Sequence, residues 1–165
     1  MLFFITAANT NQFMKKKVSL TSRRKIHRIK LRLIRIDKSG CQLTVQVTCG
    51  RVPLRMIVDT GASQTAFDTG RMAELLDKKT FLKSENYSSG LGTNTMESHL
   101  VTIPELEIGT LSIKKLTVVL IDLSHVNQSY AQIGMPHIDG VIGGDILKKF
   151  RAIIDYEKKE LKFRK

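Results

Sequence analysis

The sequence predicts an all-β domain, and three observations lead there. Apolar residues alternate with polar ones over several short runs, clusters of Gly, Asp, Ser and Asn punctuate those runs, and only two short stretches carry helical patterning. The 165 residues suit one domain. With 42% hydrophobic residues the chain can bury a sizeable core, which excludes wholesale disorder. Trp is absent, Pro occurs three times and no repeat with a period of about 20 to 50 residues is found, so fibrous, low-complexity and solenoid classes are excluded.

From Ile29 to Ile36 apolar side chains alternate with Lys and Arg, which predicts a strand, and the slip of phase at Leu33–Ile34 fits a bulge. Asp37-Lys38-Ser39-Gly40 has turn chemistry. It leads into Cys41, Leu43, Val45 and Val47, apolar at every second position, so the pair reads as a hairpin. Gly50 to Pro53 turns the chain again, and Leu54–Val58 is a short apolar run ending at Asp59. Arg71 to Asp77 predicts the first helix, capped by Asp68 or Thr69. Residues 84–98, polar and rich in Gly and Ser, predict a loop or hairpin tip. Leu100–Ile108 and Leu111–Leu123 are extended stretches joined by Gly109-Thr110, and Ser124 to Pro136 reads as a polar connection. Ile138–Ile142 is apolar apart from Asp139-Gly140, which reads as a turn. Asp145–Phe150 predicts one or two helical turns, and Ala152–Tyr156 with Glu160–Phe163 predicts a closing hairpin.

The formal charge of +12 is unevenly spread. Residues 1–38 hold 11 basic residues and one acid, Asp37, which leaves 16 basic against 14 acidic residues in 39–165. The basic character therefore belongs to an N-terminal arm, residues 1–25, and to the first strand of a domain spanning 26–165. Clustered Lys and Arg attract phosphates, so a nucleic-acid or acidic-membrane role for the arm is one reading. The plainer reading is a solvated arm or a charged strand edge that deters aggregation, since no aromatic stacking residues interleave with the charges. The opening MLFFITAA is apolar, but positive charge (Lys15–Lys17) follows it rather than precedes it, against the order of a signal peptide. It is also far shorter than the roughly 20 residues a membrane span takes. Met14 would serve equally as a start, making residues 1–13 an upstream extension.

Cys41 and Cys49 sit eight residues apart in an alternating run. On one straight strand their Cα atoms lie roughly 26 Å apart, at about 3.3 Å per residue. A disulfide needs less than about 7 Å, so an internal bridge is excluded. Free thiols fit a reducing compartment, and the reading is of a soluble, cytoplasmic protein without a membrane span. No CxxC or His/Cys cluster points to a metal site. The four histidines, His27, His99, His125 and His137, are scattered and accompany no Ser or Cys motif, which argues against serine or cysteine peptidase chemistry.

The most informative segment is Met56-Ile57-Val58-Asp59-Thr60-Gly61-Ala62-Ser63. A carboxylate at the end of an apolar strand can act on water. Thr60 can hydrogen-bond and hold the loop, and Gly61 lets backbone N–H groups approach the carboxylate closely. An ordinary strand-to-turn transition uses the same residue types, so the tripeptide alone does not decide. A second Asp-Thr-Gly, Asp68-Thr69-Gly70, follows no continuous apolar strand and opens a helix. Its Asp68 reads as a helix cap.

Together, Ile57-Val58-Asp59-Thr60-Gly61-Ala62-Ser63 and Gly140-Val141-Ile142-Gly143-Gly144-Asp145-Ile146-Leu147, with Gly143 84 residues after Asp59, resemble the retropepsin-like aspartic proteases. That family comprises the retroviral proteases and related bacterial and retroelement domains. Its members carry Asp-Thr/Ser-Gly-Ala near the start and an apolar-apolar-Gly segment before a short helix near the end. The likeness covers roughly Ile29 to Phe163. It implies a closed β-barrel or sandwich, a single lobe of the acid-protease fold with one or two short helices. It also implies an aspartic endopeptidase that works as a homodimer on peptide or protein substrates without a cofactor. Asp59 would be the catalytic carboxylate, and Thr60 would hydrogen-bond across the dimer. Gly61, Ala62 and Ser63 would shape the active-site loop and substrate groove. Gly90-Leu91-Gly92 would tip a flap over substrate, Val141 would line a side-chain pocket, and Ile142-Gly143 would pack beneath the catalytic loop. Glu160–Phe163 would contribute to the dimer interface.

Two features depart from the family's pattern. Retroviral members usually pair an Arg after the second-motif glycine with an Asp shortly after the catalytic triplet. Here those positions are Gly144 and Ser63, so that support for a dimer is missing. The flap segment is rich in Ser, Thr and Asn rather than apolar. Asp145 is expected to cap the short C-terminal helix. The rival functional reading is a catalytically quiet peptide-binding or dimerisation module on the same fold, though such a module has no need of the complete Asp-Thr-Gly-Ala-Ser.

Overall fold

The computed structural model describes residues 25–36, 40–83, 88–90, 93–96 and 99–165. The basic arm therefore lies, apart from Lys25, outside the described residues. In chain order the strands are β1 (Ile26–Lys30), β2 (Arg32–Arg35), β3 (Cys41–Cys49), β4 (Val52–Val58), β5 (Ala66–Asp68), β6 (Leu82–Lys83), β7 (Ser88–Gly90) and β8 (Thr93–Met96). The second half adds β9 (His99–Ile108), β10 (Leu111–Ile121), β11 (Gly140–Ile142), β12 (Ile153–Asp155) and β13 (Glu160–Arg164). Three helices, α1 (Thr69–Leu75), α2 (Ser124–Gln132) and α3 (Gly144–Lys149), interrupt them.

Six strands close into a barrel in the order β3-β4-β11-β5-β10-β9, with β9 returning to β3 through Thr48↔Glu107 and Cys49↔Leu106. Closure leaves no open edge within the ring, the usual remedy for unpaired strand edges. Buried side chains fill it, among them Val45, Val47, Leu54, Met56, Phe67, Ile103, Leu106, Leu120 and Ile142. The long β9–β10 hairpin turns at Gly109, whose φ of +57° suits glycine. β7 and β8 form a separate two-stranded hairpin, as the polar 84–98 segment predicted; its tip, residues 91 and 92, lies outside the described residues.

The stretch expected to be one bulged strand is two strands in two sheets. β1 pairs with β13, β2 pairs with β3, and the chain crosses between sheets at Leu31, whose N–H donates to the Lys159 carbonyl at 2.8 Å. His27, Ile29 and Leu31 all face inward, so the period of two runs unbroken across the crossing. The side-by-side, half-buried Leu33 and Ile34 belong to the next sheet.

The C-terminal hairpin forms as expected, but β13 is the middle strand of the order β1-β13-β12. Both of its main-chain edges are taken by its own chain. Among the described residues, added strands could join this sheet at β1 or β12 only.

α1 begins two residues before the expected start because Asp68 caps it, its carboxylate accepting the Arg71 N–H at 2.8 Å. α2 was expected to be a polar connection. It has no buried residue and is held by polar contacts instead: Asp122 accepts the Ser124 N–H, Asn127 exchanges two hydrogen bonds with the Ile138 backbone, and the Tyr130 hydroxyl donates to Gln42. Asp139-Gly140 is not a turn. Asp139 extends β11: its N–H donates to the Arg55 carbonyl, its carboxylate accepts the Arg55 N–H, and its carbonyl accepts the Asp68 N–H. Gly140 is buried in β11, where a Cβ would sit 2.3 Å from the Ala66 carbonyl oxygen.

Cys41 and Cys49 stand at opposite ends of β3 and are both free; burial pushes the Cys49 thiol up from its ordinary value. Among the described residues no helix is long and apolar enough to cross a membrane.

Candidate active site

β4 and β11 lie side by side and parallel, in the register Met56↔Gly140, Ile57↔Val141 and Val58↔Ile142. Their C-terminal ends therefore release two connections at the same place, the loop 59–65 from β4 and the short link through Gly143 from β11 into α3. Asp59 is the first residue of its loop, and its N–H donates to the Ile142 carbonyl at 3.1 Å, which holds it to the end of β11. The Gly61 N–H donates to Asp59 Oδ1 at 2.8 Å. A Cβ on Gly61 would stand 3.2 Å from that same oxygen, so glycine keeps the approach open. Asp59, Thr60 and Gly61 are exposed in the single chain, and Ala62 is half-buried.

The two connections are joined by hydrogen bonds. The Gly144 N–H donates to the Ala62 carbonyl at 2.7 Å and the Asp145 N–H to the Ser63 carbonyl at 3.2 Å. Asp145 Oδ1 accepts the Thr65 N–H at 3.0 Å, the Thr65 hydroxyl at 2.7 Å and the Ile146 N–H at 2.7 Å. Thr65 Oγ1 in turn accepts the Gly143 N–H at 3.1 Å. Gly143 is packed so tightly that a Cβ would fall 2.5 Å from the Gln64 carbonyl carbon and oxygen.

Asp59, Thr60, Gly61, Ala62, Ser63, Val141 and Ile142 are thus gathered at the ends of two adjacent strands. Val141 is half-buried beside Ile57, whereas the Ile142 side chain is wholly buried in the core and offers the site only its carbonyl. Gly90 ends β7 opposite Thr93 in the separate hairpin, and Leu91 and Gly92 lie outside the described residues. Asp145 is not the N-cap of α3, which is Gly143; it stands in the first turn and spends its carboxylate on Thr65 and Ile146. Thr65 and the cross-loop role of Asp145 escaped the sequence reading. The one signal available was their short offset from the two motifs, six residues after Asp59 and two after Gly143.

The second Asp-Thr-Gly is structural. Asp68 is 8% exposed at the far end of β5, where its two oxygens accept the Arg71 and Leu123 N–H groups. A cleft of about 660 Å³ lies between Arg32, Gln46, Arg55, Arg71, His137 and Asp139, and none of the loop residues 59–65 lines it. Of its guanidinium groups, Arg71 is engaged with Glu74 and Asp139, and Arg55 with the His137 carbonyl.

An exposed Asp-Thr-Gly thus stands on a closed barrel at the paired ends of β4 and β11. The family model of aspartyl proteases matches residues 43–146, and the chain belongs to that family. The fold is retropepsin-like. It is similar to the crystal structure of a retropepsin-like aspartic protease from Rickettsia conorii, with a TM-score of 0.54, 17% identity, and coverage of 86% of this chain and 93% of that one. It is also similar to the EIAV protease in complex with an inhibitor, with a TM-score of 0.52, 19% identity, and coverage of 74% of this chain and 99% of that one. At these identities the likeness is one of fold. No curated protein sequence matches the chain.

Proposed function

We propose that the chain is an aspartic endopeptidase whose working unit is a homodimer, each copy supplying one Asp59. The observation that carries this is the exposed Asp59, whose backbone N–H donates to the Ile142 carbonyl and whose carboxylate accepts the Gly61 N–H. Of the two Asp-Thr-Gly carboxylates in the chain only Asp59 is open in this way, since Asp68 is committed to backbone donors. Peptide hydrolysis by water needs a base and an acid, and two Asp59 groups meeting at a twofold axis supply both. Like charges that close do not both ionise, so the pair shares one proton. The ionised member takes a proton from water as its oxygen attacks the scissile carbonyl carbon. The protonated member gives its proton to the carbonyl oxygen, and collapse of the tetrahedral intermediate expels the amine, which is protonated as it leaves.

In this reading Thr60 hydrogen-bonds across the axis, while Ala62, Ser63 and Val141 wall the groove and Ile142 supports it from beneath. The β7–β8 hairpin, which ends its first strand at Gly90, closes over the substrate; Leu91 and Gly92 lie outside the described residues. The dimer lacks the Arg–Asp ion pair of retroviral relatives and cannot use the edges of β13. The two free thiols favour a reducing compartment such as the cytoplasm.

The test is cleavage of a mixed peptide library, at acidic to neutral pH, by the wild type and by Asp59→Asn. The wild type should cut and the variant should not. Failure of both at concentrations where the dimer is demonstrated would leave a peptide-binding module on this fold; equal cutting by both would refute the role of Asp59.

A further inference from the structure

We propose that Asp145 is a positioning residue for Asp59, acting through Thr65. The catalytic consequence rests on the peptidase reading above; the geometric one does not. The loop that presents Asp59 leaves β4 at Val58 and re-enters the barrel at Thr65, so its shape depends on how both ends are held. The first end is held by the Ile142 carbonyl. The second is held by Asp145, whose Oδ1 accepts both the N–H and the hydroxyl of Thr65 as well as the Ile146 N–H. Thr65 is wholly buried, and its hydroxyl oxygen also accepts the Gly143 N–H, which ties the lock back to the end of β11. The Ala62 and Ser63 carbonyls, midway along the loop, take the Gly144 and Asp145 N–H groups.

Five hydrogen bonds therefore stitch the Asp59 loop to residues 143–145, and three of them pass through the two side chains of Thr65 and Asp145. A charged acceptor strengthens such bonds, and a buried network loses more than one bond when a member is deleted. Gly144 and Ser63 bring no side-chain charge to this junction, so Thr65 and Asp145 carry its side-chain lock. Asp145 does not touch the Asp59 carboxylate; it sets where the loop puts it.

The experiment compares Asp145→Asn, Asp145→Ala, Thr65→Ser and Thr65→Val in the full chain, by peptide-cleavage kinetics and by backbone amide exchange. Asn retains an oxygen for the three donors, and Ser retains the hydroxyl, so both should behave as wild type. Asp145→Ala and Thr65→Val should lose kcat by on the order of 10- to 100-fold with KM changed by less than about twofold, since a loop displaced by about 1 Å misplaces the reacting groups without removing substrate contacts. In the same two variants the Asp59 and Gly61 amides should exchange faster while the β9–β10 hairpin keeps its protection. Wild-type kcat and undisturbed Asp59 and Gly61 amides in Asp145→Ala would overturn the proposal. So would a loss of protection spread evenly over the barrel, which marks a purely structural role. If Asp145→Ala does not fold, Thr65→Val against Thr65→Ser decides by both readouts. If the wild type cuts no peptide, the peptidase reading fails, and the exchange data still decide whether Asp145 sets the loop.

Discussion

Gly143→Ala should damage stability and cleavage together, and the structure says by how much. Gly143 has φ −98° and ψ −176°, ordinary extended backbone, so alanine meets no conformational penalty there. Its cost is space. The new Cβ would stand 2.5 Å from the carbonyl carbon and oxygen of Gln64 and 2.9 Å from the Thr65 nitrogen, all of them backbone atoms. Carbon contacts are comfortable from about 3.5 Å, so the two connections must part by roughly 1 Å. Overpacking of this kind costs about 1–3 kcal/mol, offset by about 0.4–1 kcal/mol because alanine narrows the unfolded ensemble. The net expectation is a loss of about 1–2 kcal/mol in urea unfolding at fixed protein concentration. A shift of that size in the loop presenting Asp59 should cost kcat on the order of 100-fold. Gly144→Ala is the control: its Cβ would meet the Ala62 and Ser63 carbonyl oxygens at 3.3 and 3.6 Å, contacts that a few tenths of an ångström relieve. A Gly143→Ala protein as stable and active as wild type, or a Gly144→Ala protein more damaged than it, would refute the reasoning.

Two further outcomes are expected. Asp68→Ala should lower the unfolding free energy by about 2–4 kcal/mol, since it removes a helix cap and strands the buried Leu123 N–H, yet the folded fraction should cleave peptides normally; loss of turnover in a fully folded sample would mean that the second Asp-Thr-Gly does more than hold α1 and β10 together. His27 gives a pH dependence. It is buried with Nε2 unpartnered and Nδ1 2.8 Å from the Thr110 hydroxyl, and burial first, then the charges of Lys25 and Lys165, hold its pKa below the usual 6.5. The unfolded chain therefore binds this proton more readily than the folded one. Its stabilising effect is fully present above about pH 6.5 and is lost as pH falls from there toward the lowered folded value. The urea midpoint should drop between pH 7 and pH 5 and should drop less in His27→Leu; equal slopes in the two proteins would contradict this.

Much of the fold was legible because its signals are local. The alternation in Cys41–Val47, the turn at Gly109 and the closing hairpin are each written within a few residues, and the place of Asp59 at the end of β4 was legible because an apolar run stops there and Thr60-Gly61 follows. The failures share a different cause: the partner lay far away in sequence. Nothing between Ile29 and Ile36 says that Leu31 will bond to Lys159 and pass from one sheet to another. Asp139 carries turn chemistry but is drawn into β11 by the Arg55 backbone. α2 buries nothing, so it leaves no apolar period to read, and its tethers to Gln42 and Ile138 are tertiary. Thr65 and Asp145 look like an ordinary strand residue and an ordinary helix-start acid until parallel β4 and β11 bring them together.

The central claim is that two chains build one site, and subunit mixing tests it most directly. Wild-type protein at fixed concentration is equilibrated with Asp59→Asn under conditions where dimers exchange partners, and peptide cleavage is followed. If each site needs an Asp59 from both copies, random pairing should cut activity to about half at equal amounts and to about a tenth with a ninefold excess of the variant. Activity that stays constant as the variant is added, with exchange demonstrated, would mean that a single chain suffices and would contradict the account.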